Sequence, residues 1–467
     1  MALDLHDYLA VHDDFVWSID QVVDARHELT ALQHTLDEAR QHPILVARNV
    51  RLPDGSRSGL PLVTNLTASR RLAAAAFGLD DHRRSAEWFA GRTRQGIEPH
   101  VVDRHRAPVQ EVVMRGDEVD LTRLPALIQH ELEPGPYLTA AHATTFDPDS
   151  GVDNTAIQRC WLRGSREMTW FPYPASHNAA NLRRFWDRGE PCPVAFWIGH
   201  HPAVVMGAQA KLSYPESHWF AAGGLAGESL ALVPSMTLGE RIRVPASAEI
   251  VIEGYARPGR LGPDGPFGEY TGYLGPQVQA PLVEVTCITR RHDAVYHDIG
   301  SGLDDNLVAD NLAQEGALYA LLKPLAPSLL NVHVPASGRR FHAWLQFRDP
   351  PAAELRAALD EALRYRRVKT AIAVDEDIDL FDSERVMWAL ATRVQWSRDA
   401  RTVDGLATSM LDPSLDDGVV TGSKLAVDAT LASVRSGRTP RATVPEASLE
   451  RAKKLIAGIG PRAWPLD

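Results

Sequence analysis

Between about residues 110 and 300 the apolar residues come in short runs, each cut off by Gly, Pro, Asn or Asp. Pro193-Val-Ala-Phe-Trp-Ile198, Ala203-Val-Val-Met-Gly207, Glu249-Ile-Val-Ile-Glu253 and Leu282-Val-Glu-Val-Thr-Cys-Ile288 are examples. Such runs are too short for long amphipathic helices. Their β-branched and aromatic content predicts strands, and so a largely β central part with a barrel-like sheet. On either side the rhythm changes to alternating helix and strand. Residues from about 20 to 40 carry spaced apolar positions with charges between them, which predicts a surface helix. Ile44–Val50 reads as a strand, Pro53-Asp-Gly55 as a turn, Leu60–Leu66 as a further apolar run and Ser69–Phe77 as a helix.

Beyond about residue 310, Asn331–Val334, Ala343–Phe347 and Lys369–Val374 read as strands. Ala352–Tyr365 places Leu355, Ala358, Leu359, Ala362 and Leu363 on one helical face. Glu384–Val394 is predicted helical, with Asp382 or Ser383 as its N-cap. Gly437-Arg-Thr-Pro-Arg441 reads as a linker to a terminal helix, Pro445–Ala457. The expected fold class is therefore mixed α/β (α+β). It has an N-terminal α/β layer (1–110), a central β-rich part (111–310), a C-terminal α/β part (311–436), and a linker with a terminal helix (437–467).

Composition narrows the function classes. The 467 residues are 44% hydrophobic and 23% charged, which favours packed cores over disorder. A formal charge of −11 argues against non-specific nucleic-acid binding through a basic face. Three cysteines (Cys160, Cys192, Cys287) without a CxxC spacing form neither a disulfide framework nor a Cys-based zinc site, so the expected setting is reduced and cytoplasmic. The N-terminus lacks the basic and apolar regions of a secretory signal, and no stretch approaches the ~18 apolar residues of a membrane span.

Four segments are candidates for chemistry. Gly259–Gly275 reads as a turn-rich loop between strands, with two carboxylates, Asp264 and Glu269, held among glycines. Paired carboxylates in a shielded loop suit acid/base work because burial and mutual repulsion raise one pKa; a solvated loop is the alternative. Asn154-Thr-Ala-Ile-Gln-Arg159 offers a neutral oxygen for a hard cation and a two-pronged grip on a carboxylate, or is an ordinary strand with a surface arginine. His177 and His218 lie in polar, loop-like contexts, with Glu216 nearby; their spacing to Asn154 matches no compact ligand motif. Thr421-Gly-Ser-Lys424 lacks the spaced glycine of a phosphate-binding P-loop. No GxGxxG opening a helix, HExxH or GxSxG is present.

Taken in order, Asn154–Arg159, Val244-Pro-Ala-Ser-Ala-Glu-Ile-Val-Ile-Glu-Gly254, Gly265-Pro-Phe-Gly-Glu-Tyr-Thr-Gly-Tyr273, Ala294-Val-Tyr-His297, Gly422-Ser-Lys424 and Asp428-Ala-Thr430 resemble the UbiD family of decarboxylases. The resemblance covers roughly residues 110 to 430. It implies non-oxidative, reversible decarboxylation of an α,β-unsaturated aliphatic, aromatic or heteroaromatic acid. The cofactor it implies is prenylated FMN, supplied by a flavin prenyltransferase and held in the central part by its phosphate through Mn²⁺ or another divalent ion, with K⁺ as a further ion. Losing CO₂ from an sp² carbon needs an electron sink that no side chain provides, and the flavin is that sink.

Carried over by motif, Glu269 takes the place of the proton donor and Arg159 that of its carboxylate-orienting partner. Asp264 completes the network where many members have Glu. Asn154 and His177 match two metal ligands, and either His218 or Glu216 is the third. Ile157, Gln158 and residues around Trp170, Phe171 and Pro172 match cofactor-contacting stretches, and Lys424 matches a phosphate-contacting lysine. The resemblance further implies a homodimer or larger homo-oligomer paired through the C-terminal part. Two alternatives remain open at this level: a non-catalytic or partner-dependent subunit of a carboxylase complex, and a metal-dependent hydrolase built on Asn154, His177 and His218.

Overall fold

Three large sheets, joined by one long buried helix and accompanied by three smaller ones, make up the computed structural model, which describes residues 4–416, 418–430 and 442–459. The linker expected at Gly437–Arg441 lies outside the described residues. The central sheet holds, in order, Glu167–Thr169, Val278–Arg290, Ile250–Asp264, Cys192–Ile198, His142–Phe146 and Asp153–Ile157, with Val112–Arg115 also paired to Val278–Arg290. Every pairing in it is antiparallel. All seven residues of Cys192–Ile198 are buried, which is why that strand reads as an unbroken apolar run. Burying side chains such as Phe196 and Ile198 stabilises the fold by about 1.5–3 kcal/mol each.

The N-terminal layer is a four-stranded sheet in the order Val16–Asp24, Ile44–Arg51, Leu62–Thr64 and Tyr296–His297. Its last strand comes from much later in the chain and pairs in parallel with Leu62–Thr64. Residues 20–24, expected to begin a helix, are strand; the helix is Glu28–Glu38. An irregularity between Ile19 and Val22 breaks the period-two alternation and leaves Val16, Ile19 and Val22 at helix-like spacing.

The C-terminal sheet runs Leu329–His333, His342–Phe347, Thr370–Asp375, Thr421–Asp428 and Ala400–Ala407. Helix Ala352–Arg364 buries Leu355, Ala358, Leu359, Ala362 and Leu363 against this sheet, as the 3.6-residue pattern predicts. Helix Ser383–Arg393 is capped by Asp382, whose carboxylate accepts from the N–H groups of Glu384 and Arg385. The terminal helix is Glu446–Ile459.

Helix Asp304–Leu322 ties the parts together and carries polar side chains inward from its buried flank. Residue 310, the expected limit of the central part, falls within it. Asp305 accepts from Asn65 N–H at 3.0 Å in the N-terminal layer, and Glu315 accepts from Arg70 and from Val334 N–H, both at 2.8 Å. The central part is less purely β than expected. Ala203–Gly207 belongs to helix Pro202–Gly207, not a strand, since Pro202 pre-sets the first turn. That helix packs so tightly on His218–Ala226 that a Cβ at Gly207 would lie 2.5 Å from Ala222 Cα. Among the described residues no helix is long and apolar enough to cross a membrane.

Candidate active site

A cleft of about 490 Å³ opens where the central sheet meets helix Asp304–Leu322 and the C-terminal part. Its wall includes Asn154, Ile157, Gln158, Arg159, Phe171, His177, His218 and Glu269. Residues distant in sequence thus converge, and most of the expected site residues are among them. Tyr173, Ala175, Ser301 and Asn306 also line the cleft.

Arg159 is the hub of the acid network. It lies just beyond strand Asp153–Ile157, and its Nε and Nη2 donate to Asp264 Oδ2 at 2.9 and 2.8 Å. Its Nη1 makes a close ion pair with Glu269 Oε1. The guanidinium is held between the rings of Phe171 and Phe267, 4.4 and 4.9 Å from their centroids. Asp264 is completely buried, and its Oδ1 accepts from the Thr169 hydroxyl at 2.6 Å. Contrary to the loop expected for 259–275, strand Ile250–Asp264 runs through the first half of that segment, so Asp264 ends a paired strand. A small hairpin, Phe267–Gly268 with Leu274–Gly275, then carries Glu269. Gly265, at φ +91°, makes the bend between them, and a Cβ there would meet Pro276 O at 2.9 Å.

Burial pushes the Glu269 carboxyl above the ordinary glutamate value, and the charge of Asp264 adds to this; Arg159 and Arg340 pull the other way. For Arg159, burial is outweighed by Glu269 and Asp264, and the guanidinium is held more firmly protonated. Behind the hairpin, Glu133 is a support that no motif indicated. Its carboxylate accepts from Gly268 N–H at 3.1 Å, and the His130 ring lies 2.7 Å from the same oxygen.

Of the four residues expected as candidate cation ligands, Asn154, His177 and His218 face the same cleft. His177 and His218 are not in loops: each is the first residue of a helix, His177–Asp187 and His218–Ala226, behind the serine caps Ser176 and Ser217. His218 is buried, its Nδ1 has no hydrogen-bond partner, and burial pulls its pKa down to about 4, so it is a neutral imidazole at pH 7. Asn154 donates through Nδ2 to Asn178 Oδ1 at 2.7 Å, which leaves its carbonyl oxygen as the free end. His218 and Asn154 line one cleft, and an unpartnered imidazole nitrogen and a free amide oxygen are donors that suit a divalent ion of borderline hardness. Glu216 does not join them. It is exposed, and its carboxylate accepts from Ser213 N–H at 2.7 Å.

Other expected contacts lie behind the wall. Trp170 is fully buried, and its indole N–H donates to Gln158 Oε1 at 2.7 Å, so it reaches the cleft only through Gln158. Pro172 is buried between the wall residues Phe171 and Tyr173. Lys424, expected at a phosphate, is instead buried in strand Thr421–Asp428 with its ammonium donating to three main-chain carbonyls: Leu363 at 2.9 Å, Tyr365 at 3.1 Å and Arg366 at 3.2 Å. It thereby supports the turn bearing Arg366 and Arg367, which do line the cleft. Burial pulls Lys424 down to about 8.

Sequence reasoning also missed a cationic wall: Lys211, Arg340 and Arg367 surround the carboxylate of Asp310, and Arg366 donates to Tyr173 Oη at 2.7 Å. These residues come from separate elements and form no motif. The adjacent pair Arg366-Arg367 was the only visible sign.

Comparison with known proteins supplies the family. Residues 16–90, 100–303 and 310–429 match the N-terminal, Rift-related and C-terminal domains of 3-octaprenyl-4-hydroxybenzoate carboxy-lyase. The UbiD-class enzyme HmfF from Pelotomaculum thermopropionicum, solved with FMN, is 32% identical at a TM-score of 0.89, over 96% of this chain and 99% of that one. An evolved dimeric form of that enzyme, in complex with prFMN, is 31% identical at a TM-score of 0.86, over 96% and 98%. The 3,4-dihydroxybenzoic acid decarboxylase AroY from Klebsiella pneumoniae is 25% identical at 0.84, over 96% and 99%. With all three domain models matched in order and a relative above 30% identity along nearly its whole length, the chain belongs to the UbiD family of prenylated-FMN-dependent carboxy-lyases.

Proposed function

We propose that the chain catalyses the reversible, non-oxidative decarboxylation of an α,β-unsaturated carboxylic acid, with an aromatic or heteroaromatic acid as the first class to test. Arg159 orients the carboxylate and Glu269 delivers the proton. The single observation that carries this reading is the Asp264–Arg159–Glu269 chain of ion pairs, which opens into the same cleft as Asn154, His177 and His218. Prenylated FMN, when bound, supplies the electron sink that accepts the charge left on carbon as CO₂ departs. Asn154, His177 and His218 would hold the divalent ion for its phosphate, and the nearby cations Lys211, Arg366 and Arg367 favour an anion in the cleft. A flavin prenyltransferase would supply the cofactor, and a homodimer or larger homo-oligomer is the proposed assembly.

Competition for Arg159 sets the proton step. Before substrate binds, Glu269 is an anion paired to Nη1 of Arg159. An incoming carboxylate takes that donor, so Glu269 loses its counter-ion while it stays buried. Its proton affinity rises, and it takes a proton from solvent. When CO₂ has left, Glu269 gives this proton to the carbon that carried it and returns to the guanidinium as a carboxylate. Asp264 holds Arg159 throughout from the opposite side, so the guanidinium does not follow the moving charge.

The test is reconstitution with prenylated FMN and Mn²⁺, followed by CO₂ release on a panel of unsaturated and aromatic acids. Glu269→Gln is expected to lower kcat by about 10²–10⁴, the usual range for loss of a positioned acid. Full turnover in that variant would defeat the assignment.

A further inference from the structure

We propose that Asn178 is a positioning residue of the metal site. It turns the amide of Asn154 so that Oδ1, and not the NH₂ group, faces the cleft. The inference rests on the reading of Asn154 as a ligand of the divalent ion. Strand Asp153–Ile157 fixes where the Asn154 amide is, but not which of its nearly isosteric ends points outward. Only the oxygen end can coordinate a cation; the NH₂ end would present hydrogens to it. Something else must therefore set the orientation, and the hydrogen-bond polarity behind the wall does so.

Two anchors of fixed polarity bracket Asn178, which is completely buried in the first turn of helix His177–Asp187. The main-chain carbonyl of Ala143 can only accept, and it takes Asn178 Nδ2 at 2.9 Å. The Trp170 indole N–H can only donate; it gives to Gln158 Oε1 at 2.7 Å, and that same oxygen accepts Asn178 Nδ2 at 3.0 Å. Both anchors thus require the NH₂ group of Asn178 on one side and place its Oδ1 on the other. There Oδ1 faces Nδ2 of Asn154 at 2.7 Å and the Thr145 hydroxyl at 2.8 Å, and the hydroxyl in turn accepts from Asn181 Nδ2 at 2.9 Å. Reversing Asn154 would set oxygen against oxygen. Reversing Asn178 to match would set its oxygen against Ala143 O and against Gln158 Oε1. One arrangement satisfies every group, and it leaves the carbonyl of Asn154 free.

The test is Mn²⁺ affinity, read from the loss of the free-ion EPR signal as Mn²⁺ is titrated into the full chain saturated with FMN. Asn154→Ala reports whether the residue is a ligand at all. Asn178→Ala is expected to raise the Mn²⁺ Kd about 10-fold or more, the range seen when the support of a metal ligand is removed. Asn178→Thr fills more of the vacated volume, lacks paired amide ends, and is expected to do the same should Asn178→Ala fold poorly. The decisive comparison uses Asn154→Asp, whose carboxylate presents an oxygen whichever way it turns. In that background, replacing Asn178 should no longer weaken binding.

Weakening by Asn178→Ala that disappears in the Asn154→Asp background supports the proposal. Weakening of equal size in both backgrounds overturns it in favour of a general packing role. Wild-type affinity in the Asn178 variants, with Asn154→Ala impaired, also overturns it. Wild-type affinity in Asn154→Ala instead sinks the metal-site reading itself, and this inference with it.

Discussion

At the scale of single residues, the proposed chemistry turns on how one guanidinium is shared. Asp264 takes Nε and Nη2 of Arg159 and Glu269 takes Nη1, so only the Glu269 side can be surrendered to substrate without freeing the arginine. Lysine cannot divide itself this way: it lacks the planar fork and the stacking faces used by Phe171 and Phe267. Arg159→Lys should therefore lower kcat/KM by about 100-fold or more, measured by steady-state CO₂ release. The pH profile follows from the sign of the Glu269 shift. The proposed donor works in its protonated form, so kcat/KM, which reports the free enzyme, should fall as pH rises through a pKa that burial holds above the ordinary glutamate value. Asp264→Asn removes a negative neighbour that helps hold it there, so the falling limb should move to lower pH. A limb unmoved by that change would show that Asp264 does not act on Glu269 electrostatically.

At the scale of elements, the site depends on turns and strand ends more than on its wall. Gly265 bends the chain between strand Ile250–Asp264 and the hairpin bearing Glu269, with no room for a methyl group before Pro276 O. Gly265→Ala should displace the hairpin and lower kcat by about 100-fold, the scale expected for a 1 Å misplacement, as single-turnover kinetics would show. Lys424 works from further away by holding the three carbonyls beneath Arg366 and Arg367. Lys424→Met should destabilise the fold by about 1–3 kcal/mol, since it removes the ammonium that the buried Leu363 carbonyl accepts from; a denaturant titration measures this.

Elements also show what was legible in the sequence. Helix Ala352–Arg364 was, because one face is buried and the other wet. Residues 20–24 of strand Val16–Asp24 were read as helix because the strand's irregularity leaves its apolar residues at helical spacing, and helix Pro202–Gly207 was missed because six residues buried on all sides carry no periodicity. The acid network was found through two dense motifs. The cationic wall was not, since Lys211, Asp310, Arg340 and Arg367 meet only in three dimensions. Lys424 shows the limit of transfer by motif: the residue type was matched, but its ammonium points at main chain.

At the scale of the whole molecule, the C-terminal part leaves large apolar side chains uncovered. Met387 and Trp396 are 60% and 59% exposed, and Leu455 and Ile456 of the terminal helix are 61% and 68% exposed. A homo-oligomer that covers them should show at least twice the chain mass in light scattering, and Met387→Glu with Trp396→Glu should shift that mass toward the single chain.

The late strand Tyr296–His297 carries a different consequence. Because it completes the sheet begun by Val16–Asp24, a ribosome must deliver nearly 300 residues before the first layer can close. Until then Leu62–Thr64 is an open edge for nascent chains to pair with. A gene fragment ending near residue 110 should accordingly give aggregates rather than a folded unit, whereas one continuing past the long connecting helix should not.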